Sequence, residues 1–329
     1  MIDAAALQKI QGIIQNGKTF VLTTHINADA DGIGSEIALA HYLRDLGKKA
    51  HIINHSPTPE NIEFLDGRGD IEIFDNAKHG ELVRDVDAVF ILDISDWERL
   101  RDLGKLLRQI SVTKICIDHH PLEGRFGDVD VILTEASSTG EIMYDLLTAL
   151  GARLHGKMIE ALYTAILTDT GGFRFTNTNP RAHEICADLI ARGVKPQHIY
   201  QEVYEKQSAN KMRLLGLILS TLNFSKDGRL VWFTVSQEMM KTTGTQPRDT
   251  EGFADFPRSI DGVELCLMFL ETESGKVKIS FRSKGKIIIN GLANRFGGGG
   301  HPHASGALVE GNFQQIVQQV VSEAKELFG

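Results

Sequence analysis

Over the first part of the chain, short apolar runs alternate with longer stretches of helical spacing. An amphipathic helix is predicted over 3–16, then the buried-strand run TFVLTT (19–24), then a helix over 32–47. KAHIIN (49–54), DAVFILDI (87–94) and KICIDHH (114–120) are further short apolar runs, and helical spacing returns at 138–150, 156–168 and 180–192. Run length does not separate a buried strand from a buried helix, but the β-branched content of these runs favours strands. Strands alternating with helices predict an α/β domain built on a doubly wound, mostly parallel sheet covered on both faces.

The pattern then changes. Residues 193–226 open with Gly193 and Pro196 and turn helical, which predicts a helical connector. From 227 to 329 the apolar runs lengthen into RLVWFTVS, VELCLMFLE and KVKISFRS, end in the glycine-rich loop FGGGGHPHASG, and finish in a helix over 312–328. This predicts a smaller α+β domain after an α/β domain of residues 1–192. A length of 329 residues fits two cores better than one.

Composition narrows the function classes. The formal net charge of −8 disfavours long-range steering of an extended polyanion, so any nucleic-acid contact needs a local basic patch or a metal site. Cys116, Cys186 and Cys266 are far apart and form no CxxC, which argues against a disulfide framework and fits a reducing cytosol. The N-terminal stretch has an acidic residue at position 3 and no basic region before its apolar residues, unlike a secretion signal. No apolar run approaches the roughly 18 residues of a membrane span. A cytoplasmic protein without a membrane partner is the expectation.

The chemistry is concentrated where strands end. In an open parallel sheet, ligands bind beyond the carboxyl ends of the strands. His25, Asp29 and Asp31 follow the first strand; Asp93 follows VFIL; Asp118, His119 and His120 follow KICI; and Asp169 lies in AILTDTGGFRF. A lone DxD is usually a solvated turn or a helix cap, and Asp31 is a candidate cap for the next helix. A lone DHH is equally weak. Their recurrence at successive ends instead predicts a metal centre with His25, Asp29, Asp31, Asp93, His119 and Asp169 as ligands. Mixed imidazole and carboxylate donors suit Mn²⁺, Zn²⁺ or Fe²⁺ better than Ca²⁺, and the absence of thiolates disfavours structural zinc. Four carboxylates balance two divalent cations if one bridges, the arrangement of a binuclear phosphoesterase.

HINADAD, ILDISD, IDHH and LTDTGGFRF resemble the ordered motifs of the DHH phosphoesterases, and GLANRFGGGGHPHASG resembles the signature of their DHH-associated C-terminal domain. The stretches TDTGGFRFTNTNPRAHEICADLIARG and EASSTGEIMYDLL are most similar to the two-domain bacterial nano-RNases that also act on pAp. The resemblance implies that His25 and Asp29 hold one metal, Asp31 and His119 the other, with Asp93 bridging and Asp169 completing the second site. It implies that His120 faces the scissile phosphate and that Asp118 orients a neighbouring histidine. Mn²⁺ is the first expectation, with Mg²⁺ and Co²⁺ as alternatives. One departure is Ala28, where the family often has a stiffening proline.

For the substrate, the resemblance assigns Gly298, Gly299, Gly300 and His301 to a loop whose backbone N–H groups approach a phosphate, and Arg282 to a bidentate phosphate contact. Composition alone reads the loop equally well as a hinge. Arg258 is a weaker candidate that has Asp255 and Asp261 as nearby ion-pair partners, and Arg99 is either a site residue or part of a solvated helix face. The expected activity is hydrolysis of short single-stranded RNA to mononucleotides and of pAp to AMP, in a cleft between the domains; a homodimer is compatible. A cyclic- or linear-dinucleotide phosphodiesterase is the alternative enzyme. A silent nucleotide-binding module is the non-enzymatic alternative, disfavoured because six ligands are kept.

Overall fold

A computed structural model describes residues 2–328 apart from positions 68, 95, 123 and 273. The chain forms two compact units, Met1–Lys206 and Gln207–Gly329.

The first unit opens with helix α1 (Ala4–Asn16), strand β1 (Thr19–Thr23), α2 (Ala30–Asp45) and β2 (Lys49–Asn54). It continues with β3 (Ile71–Ile73), α3 (Asn76–Asp85), β4 (Ala88–Leu92), α4 (Arg101–Gln109), β5 (Thr113–Asp118) and β6 (Val129–Ile132). Four helices follow, α5 (Thr139–Ala149), α6 (Lys157–Asp169), α7 (Pro180–Ala191) and α8 (Pro196–Tyr204). The six strands are all parallel, in the order β3-β2-β1-β4-β5-β6. Each residue of β4 is buried, so its sequence AVFIL is a continuous apolar run rather than an alternating one. Both sheet faces carry a core. Phe20, Leu22, Phe90, Ile115 and Ile117 join the apolar side chains of α2, α5 and α6 on one side. Val21, Val89, Ile91 and Cys116 join those of α3 and α4 on the other.

Strand order reverses at β1, which pairs with β2 on one side and β4 on the other. Loops leaving β1 and β4 therefore diverge and open a crevice at their carboxyl ends. The short edge strands β3 and β6 and the helices α3 and α4 are additions to the predicted elements. For α3 and for the 3₁₀ turn Trp97–Leu100 leading into α4 a start signal was present, because Asp75 and Asp96 cap them.

In the second unit, α9 (Ala209–Leu219), β7 (Asn223–Phe224), β8 (Leu230–Val235) and α10 (Gln237–Thr243) lead to β9 (Leu265–Glu271) and β10 (Lys276–Ser283). Then come α11 (Asn290–Arg295), β11 (Gly299–His301), β12 (Ala304–Glu310) and α12 (Phe313–Lys325). The sheet order is β11-β12-β10-β9-β8-β7, antiparallel except for the β8–β9 pair. Val277, Ile279 and Phe281 pack with α12 on one face, while Val231, Phe233 and Met268 pack with α9 on the other.

The segment 193–226 is helical, and its helices divide between the units: Ile199 and Val203 of α8 belong to the first core, whereas Leu214, Leu215 and Ile218 of α9 belong to the second unit. Within the glycine-rich segment, Gly299–His301 pairs with Ala304–Gly306 as a short hairpin. Its glycines have separate causes. A Cβ on Gly298 would lie 2.1 Å from the Gly306 carbonyl oxygen, and one on Gly300 would lie 2.7 Å from that of Ala304. Gly299 has no such constraint, its nearest neighbour being Asn294 Oδ1 at 3.6 Å.

Candidate metal centre

The loop after β1 is pinned from two sides. Ile26 N–H donates to the Arg99 carbonyl at 2.9 Å and Asn27 N–H to Ser56 Oγ at 2.7 Å. Ala28 is buried in the core, so packing holds the position at which the family often has a proline. The main chain of Arg99, rather than its charge, is what the structure connects to this loop.

Asp29 is the N-cap of α2, accepting from the N–H groups of Asp31 at 3.0 Å and Gly32 at 3.3 Å. The cap is therefore Asp29 and not Asp31, the other candidate. Asp31 lies inside the first turn, buried, and accepts from Thr139 N–H at 2.7 Å and Gly140 N–H at 2.8 Å. The amino end of α5 thus aims its unpaired donors at this carboxylate. Asp93 has a left-handed φ of 58°, a costly conformation for a residue with a Cβ, and its N–H donates to the Ile117 carbonyl at 2.9 Å. Asp169 comes from the carboxyl end of α6 and not from a strand end, which corrects that part of the topology. Asn177 Nδ2 steadies it at 3.1 Å from Oδ2.

These side chains converge. His25 Nε2 lies 3.5 Å from Asp93 Oδ2 and 3.7 Å from Asp29 Oδ2. His119 Nε2 lies 3.8 Å from Asp93 Oδ1, 3.8 Å from Asp31 Oδ2 and 3.6 Å from Asp169 Oδ2. Three sets of candidate ligands result: His25, Asp29 and Asp93; Asp31, His119 and Asp169; and Asp93, Asp118, His119 and His120. Asp93 presents a different oxygen to each of the two histidines, as a bridging carboxylate does. Both ring tautomers suit ligation. His25 Nδ1 lies 2.9 Å from the Ile26 carbonyl and His119 Nδ1 lies 3.4 Å from that of Ala136, which places the Nε2 lone pairs on the cluster side. His119 Nε2 is buried and makes no hydrogen bond. An imidazole nitrogen left bare among three carboxylates fits a cation.

Electrostatics point the same way. Burial, together with the charges of Asp93, Asp169 and Asp29, drives the Asp31 pKa well above the carboxylate range. Burial and the charges of Asp93 and Asp29 push Asp169 up to about 7. Burial opposes a charge on His25, yet Asp29 and Asp93 outweigh it and push its pKa up to about 10. Burial and the neighbouring His120 lower that of His119, while the hydrogen bond that His120 donates to the Asp118 carboxylate raises that of His120. The cluster therefore demands positive charge, from protons or from cations.

Sequence reasoning did not single out Thr139, Gly140 or Asn177 as individuals. Thr139 Oγ donates to Asp93 Oδ1 at 3.1 Å, holding the bridge. Replacing Thr139 by valine keeps the shape and removes the donor; a loss of about 10–100-fold in Mn²⁺ affinity is expected by calorimetry. An unchanged affinity would assign the hydroxyl no part in holding Asp93.

The remaining candidates lie in the second unit. Arg258 Nη1 pairs with Asp255 at 2.7 Å, and Arg282 Nε lies 3.9 Å from the same carboxylate. Arg282 Nη1 also donates to the Phe281 carbonyl at 2.9 Å. His301 and the hairpin glycines Gly299 and Gly300 are exposed.

The DHH family N-terminal domain model matches residues 19–168 and the DHHA1 domain model matches residues 232–328. A Bacillus subtilis protein, the bifunctional oligoribonuclease and PAP phosphatase NrnA, is 30% identical over 88% of this chain and 89% of its own. The chain belongs to the DHH family. The Thermus thermophilus protein of the same name is 28% identical over 98% of this chain and 92% of its own. A solved Bacteroides fragilis structure, described as an exopolyphosphatase-related protein, superposes on this DHH chain with a TM-score of 0.94. It is 29% identical and covers 99% of this chain and 98% of that one. As a DHH protein, this chain presents the aspartate and histidines of the name at Asp118, His119 and His120.

Proposed function

We propose that this protein is a metal-dependent phosphoesterase that hydrolyses short oligoribonucleotides to mononucleotides and converts pAp to AMP. The observation that carries this is Asp93, whose two oxygens face two separate histidine–carboxylate groups. His25 and Asp29 would hold one divalent cation, Asp31, His119 and Asp169 the other, with Asp93 shared. Two such cations, when bound, clamp the attacking and leaving oxygens of an in-line phosphoryl displacement. The mixed donor set suits Mn²⁺, with Mg²⁺ or Co²⁺ as alternatives. The names borne by the B. subtilis and T. thermophilus relatives supply the substrate class.

The protein's own groups do the rest. Asp118 Oδ1 lies 2.8 Å from His120 Nδ1, fixes the ring and favours its charged form. An imidazolium there offsets the charge that grows on the phosphoryl oxygens. Gly299, unconstrained by neighbouring atoms, is the hairpin position best suited to backbone contact with a substrate phosphate, and Arg282 and His301 serve the same end. Among the described residues no helix is long and apolar enough to cross a membrane, and the three cysteines are free, in keeping with a cytoplasmic enzyme.

Purified protein with Mn²⁺, offered a dinucleotide RNA, pAp and a cyclic dinucleotide in parallel, should consume the first two. Consumption of the cyclic compound alone would overturn the assignment.

A pH dependence follows from the raised carboxyl pKa values. A group whose pKa is higher in the fold than in the unfolded chain stabilises the fold at low pH, and that contribution is lost as pH rises through the folded value. For Asp169 the loss is complete above about 7. A bound cation replaces the missing proton. The rise in Tm when Mn²⁺ is added to EDTA-treated protein should therefore be larger at about pH 8 than at about pH 6, and Asp169→Asn should shrink the difference. Equal shifts at both values would contradict the coupling.

A further inference from the structure

The chain turns sharply just after Asp169. Gly171, Gly172 and Phe173 have φ values of 58°, 71° and 66°, three left-handed residues in succession of which the last is not a glycine. Phe173 is held there by stacking on His183, with ring centroids 4.8 Å apart, and by the adjoining core. The N–H groups of Arg174 and Phe175 both reach the Thr170 carbonyl at 3.0 Å, and Asn177 fastens the turn to Asp169. The turn thus half-buries one aromatic ring as an anchor and leaves the next two residues exposed.

What it exposes is not an ordinary solvated surface. The Phe175 ring rests against Gly171, where any Cβ would come within 2.5 Å of it, yet remains 43% exposed. The Arg174 guanidinium carbon is 5.3 Å from the Phe175 centroid, and among the described residues no carboxylate pairs with it. Tyr204, at the end of α8, lies within the electrostatic reach of Arg174. Tyr200 stands beside Tyr204 with centroids 4.9 Å apart, and both are exposed. Phe175 and Arg174 thus lie on a turn tied to a candidate metal ligand, with the Tyr204–Tyr200 pair joined to them through the electrostatic reach of Arg174.

We infer that Phe175, Tyr200, Tyr204 and Arg174 form a stacking platform for the bases of a short single-stranded RNA whose phosphate is attacked at the metal centre. Aromatic faces accept any base, and a guanidinium adds attraction to both ring and phosphate. Such recognition tolerates sequence, as a hydrolase of mixed oligonucleotides requires. The inference rests on the proposed phosphoesterase activity and gives it a base-side subsite.

The test compares a tetraribonucleotide with its abasic counterpart, which has the same phosphates. Phe175→Ala combined with Tyr200→Ala should raise KM for the tetraribonucleotide about ten-fold or more, with kcat changed little. KM for the abasic compound should not move, and Phe175→Tyr should restore binding. Ile190→Ala, an exposed apolar residue on α7, serves as the control. Binding of a labelled tetraribonucleotide in EDTA, read by fluorescence anisotropy, separates the platform from the chemistry. If the wild-type protein binds the RNA through these residues but does not hydrolyse it, the activity assignment fails and the platform stands. Equal losses for intact and abasic RNA would overturn the platform. So would unchanged KM accompanied by a shift in oligomeric state, which would make the patch a self-association face.

Discussion

Asp93→Ala is expected to abolish measurable hydrolysis of both pAp and dinucleotide RNA, lowering kcat by about 10³-fold or more at saturating Mn²⁺. Loss of a partner that merely orients a metal ligand typically costs about 10–100-fold, and Asp93 is closer to the chemistry than that. One of its oxygens is 3.5 Å from His25 Nε2 and the other 3.8 Å from His119 Nε2, so a single truncation removes a donor from both candidate ion sites. It also leaves Asp31 and Asp169 with fewer groups to share a cation. Calorimetry should show the Mn²⁺ stoichiometry falling from two to one or none, while circular dichroism shows an intact fold. Near-normal turnover in this variant would sink the binuclear arrangement. The left-handed backbone at Asp93 adds a signature of its own: Asp93→Gly should relieve the strain and raise Tm in EDTA while remaining inactive.

Gly34→Ala is expected to destabilise the protein by about 3 kcal/mol, roughly 6–12 °C in Tm, although alanine is the better helix former. The reason is the contact between α2 and α6. A Cβ on Gly34 would sit 2.5 Å from the Ala161 carbonyl oxygen and 3.1 Å from Ala165 Cβ, so the helices would have to separate. Both helices carry metal-centre residues, Asp31 in the first turn of α2 and Asp169 at the end of α6. Separation should therefore weaken Mn²⁺ binding as well as the fold. Gly12→Ala is the matched control: it also lies in a helix interior, and nothing stands within 4 Å of the added Cβ. There the substitution should stabilise by roughly 0.5–1 kcal/mol. Differential scanning calorimetry of the two variants decides the matter, and equal shifts of the same sign would refute the packing argument.

The contrast between these glycines marks the boundary of what pattern reading reaches. Both occupy helical stretches and look alike along the chain; only the neighbour across space distinguishes them. The same holds for the carboxylates. Asp29 and Asp31 are two residues apart in one loop, and either is an acceptable cap by composition. The cap fell to Asp29 because Asp31 is drawn inward by the amino end of α5, more than a hundred residues later in sequence. Asp169 was legible as a ligand at the close of a helical stretch, but the fold places it beside the strand-end ligands from a helix terminus, which the pattern of successive strand ends does not foresee. The glycines from 297 to 300 read as one loop, whereas two of them, Gly298 and Gly300, are required by close backbone contact within a hairpin.

Pattern along the chain was enough for the alternation of strand and helix, the two cores and the choice of six ligand candidates. Those features are local: apolar period, β-branched content and charged residues at the ends of apolar runs are carried by neighbours in the chain. It took the folded arrangement to show that Asp93 faces two groups at once and that Thr139 and Asn177 hold the carboxylates. Those are distances between segments far apart in sequence. They are set by how the parallel sheet reverses its order at β1 and by how closely α2, α5 and α6 pack upon it, and no local pattern encodes a distance of that kind.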